Sequence, residues 1–229
     1  MKSNENEIFE IYKELNIGKS NECIECHKQV CNLSKPVSIW QVGDNYYDSK
    51  YKVLFVGKAA RGSVGIECNN FLDATEDAYS LYKDRSQWAY WSYTKAIVNE
   101  LYGLRENDGW EQISFTNMVK CNNSETVDTS TDTLKNNCLH ILKAEIKKLA
   151  PKNIVFYTHG YDNQIKALFD NIRFSESKSV KIGAKEINIW TFMGLIDGNE
   201  IRVIRPGHPE RKKKLQFVKY VVDFIKDEV

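Results

Sequence analysis

At 229 residues, with 42% hydrophobic and 28% charged side chains, the chain has the make-up of a soluble globular protein able to bury one full core. Its formal net charge of +1 excludes a global attraction to polyanions, so any affinity for nucleic acid must come from a local patch. The opening residues MKSNENEIFEIYKEL hold neither an apolar signal core nor a small-residue cleavage site, and no apolar run approaches membrane-spanning length. A cytoplasmic protein with no membrane partner is expected.

Residues 7–15 read as a short amphipathic helix, followed by a loop-like stretch through Asp48 that carries Cys23, Cys26, Cys31 and Pro36. Lys52–Gly57 (KVLFVG) is apolar, β-rich and ends in glycine, the form of a buried parallel strand. Residues 71–82 and 86–103 read as helices, the second anchored by Trp88, Trp91, Ile97, Val98 and Leu101; at this spacing the two tryptophans belong to the core rather than to a stacking surface. Ile113–Val119 is a second buried strand and Asn122–Asp132 a polar loop. From Thr133 to Leu149, Leu134, Cys138, Ile141, Leu142, Ile146 and Leu149 recur at three- and four-residue spacing, and Pro151 stops that helix. Asn153–Tyr157 is a third strand, Tyr161–Asn171 a helix, Glu186–Phe192 an edge strand or hairpin, Ile201–Ile204 the last core strand, and Lys213–Lys226 the closing helix.

This alternation implies one α/β domain over residues 1–229: a mostly parallel sheet, with four core strands, covered by helices on both faces. Ligands of such sheets bind at the carboxyl ends of the strands. Those ends read Gly57-Lys58-Ala59-Ala60-Arg61-Gly62, Asn117-Met118-Val119-Lys120-Cys121, Thr158-His159-Gly160 and Arg205-Pro206-Gly207-His208-Pro209.

Six cysteines in a reducing compartment point to metal ligation and plain burial rather than disulfides, with Cys31 and Cys68 in the second class. Cys23, Cys26, Cys121 and Cys138 form a C-x2-C pair and a distant C-x16-C pair, a four-thiolate pattern that serves Zn2+ or an iron–sulfur cluster equally well. Either group would tie the 1–50 segment to the core. Cys23-Ile24-Glu25-Cys26-His27 also satisfies the C-x-x-C-H haem-attachment pattern, which accompanies export and therefore conflicts with the missing signal.

Read together, the C-x2-C pair, VLFVGKAARG, TNMVKC, NCLHILKAEIKKLAPKNIVFYTHG and VIRPGHPERK, in that order over residues 23 to 212, resemble the uracil-DNA glycosylase superfamily, most of all its iron–sulfur family 4. The resemblance implies a monomeric three-layer α/β/α domain with a central, mostly parallel four-stranded sheet. It also implies a [4Fe–4S] cluster on Cys23, Cys26, Cys121 and Cys138, and hydrolysis of the N-glycosidic bond of a damaged or modified base flipped out of DNA. By motif position His208 would stabilise the departing base and Asn117 would read its edge. Gly57 and Ala59 would line the substrate site, and Phe71 would stack on the base. Arg205, Arg211, Lys212 and Lys213, with Lys214, form a basic run beside His208 that would contact DNA phosphates.

The chain departs from that family at Lys58, where the family carries a glutamate that helps position the attacking water. A charged lysine accepts no proton and repels a developing sugar cation. Three readings follow. Catalysis proceeds with other machinery, such as Glu67, Asp73 or His208 alone; Lys58 is itself a nucleophile or a contact to a modified base or phosphate; or the chain is a non-catalytic or redox-responsive DNA-binding module. Asn122-Asn123-Ser124 in place of a proline-rich run, and Glu210 in place of the serine after His-Pro, are further departures.

Overall fold

A computed structural model describes residues 3–30, 33, 40–59, 86–104, 108–121 and 129–227. The expected helix at 71–82, the residues Arg61, Gly62, Glu67, Cys68, Phe71, Asp73, Cys31 and Pro36, and most of the polar loop after Cys121 lie outside the described residues.

The four apolar runs seen in the sequence are strands because their side chains are buried on both sides. Val53, Leu54, Phe55 and Val56 of β2 (Val53–Ala59) are all fully buried, as are Ile154, Val155 and Phe156 of β4 (Asn153–Phe156). Leu54 and Val56 join one core with Ile8, Tyr12, Ile141, Leu142 and Ile165; Val53 and Phe55 join another with Trp91, Ile97, Val98, Phe217 and Val221. A strand with two apolar neighbourhoods has no polar face, hence the continuous runs rather than alternation. β2 pairs in parallel with β3 (Ser114–Val119) and with β4, and β4 pairs in parallel with β7 (Asn199–Arg205).

The α/β class is as expected, but the sheet is larger and more mixed than four core strands. Among the described residues seven strands run in the order β1-β3-β2-β4-β7-β6-β5, with β1 (Gln41–Val42), β5 (Asn171–Ile182) and β6 (Lys185–Ile196) attached by antiparallel ladders. β5 escaped the sequence reading because it is almost entirely exposed and its apolar alternation, Ile172, Phe174, Val180 and Ile182, is interrupted by Glu176 and Lys178. Its pairing with β6, from Asn171↔Leu195 to Ile182↔Lys185, is what makes it a strand. Lys178 and Lys181 mark it as an edge that resists further pairing.

Helices cover both faces: α1 (Ser3–Glu14), α2 (Asn21–Gln29), α3 (Ala89–Tyr102), α4 (Asp132–Asn137), α5 (Leu139–Leu149), α6 (Asp162–Leu168) and α7 (Lys214–Lys226). Four sequence expectations are corrected. Cys23 and Cys26 lie on a helix, α2, rather than in a loop; Ser20 caps it by accepting the Cys23 N–H at 3.3 Å. The helix expected from Thr133 to Leu149 is two helices meeting at Cys138. Because Cys138 keeps a helical backbone (φ −88°, ψ −8°), the apolar spacing runs through the break undisturbed. The helix expected to reach Asn171 stops at Leu168, since Asn171 already belongs to β5. Trp88 is no core anchor: it caps α3 with extended backbone and is 41% exposed, while Trp91 packs edge-on against Trp110 and Phe115. Among the described residues no helix is long and apolar enough to cross a membrane.

Candidate functional site

The carboxyl ends of β3, β2, β4 and β7 lie side by side and carry Asn117, Gly57 to Ala59, His159 and the Gly207-His208-Pro209 segment in that spatial order. Gly57 is not a turn residue, as its place in a glycine-bearing run suggested; it lies inside β2, which continues through Lys58 to Ala59. A Cβ there would stand 2.3 Å from Asn117 Oδ1 and 3.3 Å from Tyr90 Cε2. Gly57 and Asn117 are register partners, so the bare glycine is what lets the carboxamide lie across the neighbouring strand. Lys58 and Ala59 are half-buried beside it.

The second half of the site is built on β4 and β7. Gly207 has φ +72°, and a Cβ on it would stand 2.3 Å from His159 Nε2, so the imidazole is seated directly on the residue before His208. His208 is half-buried; its Nδ1 accepts the Glu210 backbone N–H at 3.2 Å, which assigns the proton of the neutral ring to Nε2. The Lys212 ammonium donates to the His208 carbonyl. Partial burial, then Lys212, Arg205 and Lys58, lower the pKa of His159, and Asp162 opposes them. Burial, with Lys185 nearby, lowers the pKa of Lys212 to about 8.

Of the four cations expected to meet DNA, Arg205 is internal. Its side chain is 7% accessible and donates from one guanidinium nitrogen to Asn188 O and from another to Asp162 Oδ2, each at 3.0 Å. This clamps β7 to β6 and α6 and takes Arg205 off the surface. Arg211, 78% exposed, and the exposed Lys213 face outward, and Lys212 is half-buried beneath them.

Under the Asn117 end lies a buried ion pair that sequence reading missed. Lys120 Nζ, on a side chain 2% accessible, donates at 2.8 Å each to Glu145 Oε2, Thr116 Oγ1 and the Asn117 carbonyl; Glu145 is 1% accessible and also accepts from Tyr12 Oη and Thr116 Oγ1. The pair ties β3 to α5 and α1 and fixes the backbone that presents Asn117. Its one sequence signal is a lysine between the apolar end of a strand and a cysteine.

The Lys120 amide also connects this network to the cysteines, donating to Cys138 Sγ at 3.4 Å. Gly18 N–H donates to Cys23 Sγ at 3.2 Å and Asn137 Nδ2 to Cys26 Sγ at 3.3 Å. All four are free thiols; Cys26, Cys121 and Cys138 are buried and Cys23 is half-buried. Burial raises the pKa of Cys121 well above its usual value, and Cys138, Cys23 and Cys26 raise it further, so the four sulfurs are electrostatic neighbours. Burial likewise lifts Cys138 to about 11 and raises Cys26. N–H donors are directed at three of the four sulfurs, the polarity that thiolate ligands of a metal or an iron–sulfur cluster would call for. Among the described residues no group of three or more His, Cys, Asp or Glu side chains is set to hold a metal ion as it stands. A tetrahedral zinc would need its sulfurs about 3.8 Å apart, given Zn–S bonds of ~2.3 Å.

A comparison with protein-family models finds no match, and neither does one with curated proteins.

Proposed function

We propose that this protein is a DNA glycosylase of the uracil-DNA glycosylase type, with that family's three-layer fold, acting as a monomer on a flipped-out uracil or otherwise modified base. The observation that carries the reading is the Gly57–Asn117 pair. Asn117, half-buried at its strand end, lays its carboxamide across the buried Gly57 of the neighbouring strand, and a carboxamide carries both a donor and an acceptor that can match a base edge. His208 supports it from the other end of the row. With Nδ1 accepting from Glu210, its Nε2–H can donate to a base oxygen as negative charge builds there, and a neutral donor of this kind stabilises an anionic leaving group without first protonating it.

The bond that breaks joins C1′ to the base nitrogen. Asn117 orients the base, His208 takes up charge on it, and Arg211, Lys212 and Lys213 hold the backbone in place. Cys23, Cys26, Cys121 and Cys138 would hold a [4Fe–4S] cluster, whose contribution is structural: it would brace α2 against the segment after β3, four residues beyond Asn117.

Lys58 supports a second reading, a DNA-binding module without catalysis, because a cation beside the sugar opposes the charge that develops there. The test is incubation of protein purified anaerobically with oligonucleotides carrying uracil, hypoxanthine or modified cytosines, followed by alkaline cleavage at abasic sites. Excision of any of these bases supports the glycosylase; binding without product from the whole panel refutes it in favour of the module.

A further inference from the structure

His159 is absorbed neither by the motif reading nor by the mechanism above, and its placement is unusual. The β2–β4 register, Val56 opposite Phe156 with Tyr157 N–H bonded to Val56 O, brings the residues after Phe156 alongside Lys58. On the other side the ring rests on Gly207, a contact no side chain at 207 would permit. His159 therefore stands between the position that lost its carboxylate and the turn that carries His208. The residue is partly exposed and makes no hydrogen bond to the described residues.

Building on the glycosylase reading, we propose that His159 is the proton acceptor for the attacking water, replacing from the neighbouring strand the carboxylate absent at Lys58. In the step, a ring nitrogen of neutral His159 accepts a proton from water while the water oxygen bonds to C1′. The C1′–N bond breaks and its electron pair leaves with the base, whose oxygen is held by His208. The imidazolium then returns the proton to the departing base anion or to solvent, so the sum is water plus nucleotide giving free base and an abasic sugar. The charged groups facing His159 are Lys58 on β2, Arg205 on β7, Lys212 after it and Asp162 on α6. Partial burial of the ring, then Lys212, Arg205 and Lys58, favour the neutral imidazole against the opposing Asp162, and the neutral ring is the state that can accept a proton. Lys58, a defect if the acid is looked for at its own position, is useful here as one of those cations.

The test is single-turnover excision against pH, from 5 to 9, for the wild type, His159→Gln and Lys58→Gln on whichever base the wild type removes. General-base catalysis is worth roughly 10²–10⁴-fold, so His159→Gln is expected to lose at least about 100-fold in rate with DNA affinity little changed. The wild-type rate should fall as pH drops through the His159 pKa, and that limb should vanish in His159→Gln. Lys58→Gln removes a repelling cation and should move the limb to higher pH. External imidazole should restore part of the rate to His159→Gly. Equal rates and unchanged pH limbs for His159→Gln and wild type overturn the assignment while leaving the glycosylase standing; a wild type that excises nothing from the panel overturns both.

Discussion

Replacing Lys120 by methionine tests the network that presents Asn117. Three donor contacts of 2.8 Å disappear, and the Glu145 carboxylate stays 1% accessible with only Tyr12 and Thr116 to answer its charge. Removing one partner of a buried ion pair costs about 3–5 kcal/mol, because the remaining charge keeps its desolvation penalty. For a domain of this size each kcal/mol shifts Tm by roughly 2–4 °C, so Lys120→Met should lower Tm by roughly 6–20 °C. Far-UV circular dichroism during thermal and urea unfolding measures it. Lys120→Met combined with Glu145→Leu should be more stable than Lys120→Met alone, since apolar replacement of a whole buried pair is often neutral. A loss below about 1 kcal/mol in the single variant, or a double variant as unstable as the two singles summed, refutes the account.

Gly57→Ala puts a methyl 2.3 Å from Asn117 Oδ1, so the carboxamide must retreat by about 1 Å to reach ordinary contact. The displaced atom is a side-chain end, so Tm should move little while excision falls on the order of 100-fold, the usual cost of such a misplacement; retained excision refutes the base-reading role. Cys26→Ser should abolish the broad absorption near ~400 nm expected of an iron–sulfur protein, loosen α2 and weaken DNA binding, and intact stability and activity would remove the bracing role. Lys212 is charged below its pKa of about 8 and loses its charge as pH rises through that value. The slope of log affinity for DNA against log salt should therefore shrink by roughly 0.7 between pH 7 and 9, most of the ~0.9 that one phosphate contact contributes, and Lys212→Arg should remove the pH dependence; a slope unchanged by pH in the wild type excludes Lys212 as a phosphate contact.

The local sequence is sufficient wherever one residue's environment repeats along the chain. β2, β3, β4 and β7 are legible because both their faces are buried, and α3, α5 and α7 because each buries one stripe against a sheet face. The four cysteines and the His-Pro turn stand out for a different reason: the chemistry proposed for them needs particular residue types. Tertiary structure alone decides what depends on a partner far along the chain. β5 is a strand through pairing with β6. Arg205 looks like a surface cation in a basic run until Asp162 and Asn188 O claim it. Gly57 is required by Asn117, Gly207 by His159, and Lys120 by a carboxylate 25 residues away. Each of these depends on distances of a few ångströms between segments that a linear pattern does not relate, so candidate residues for the proposed chemistry can be nominated from the sequence, while their arrangement is set by the fold.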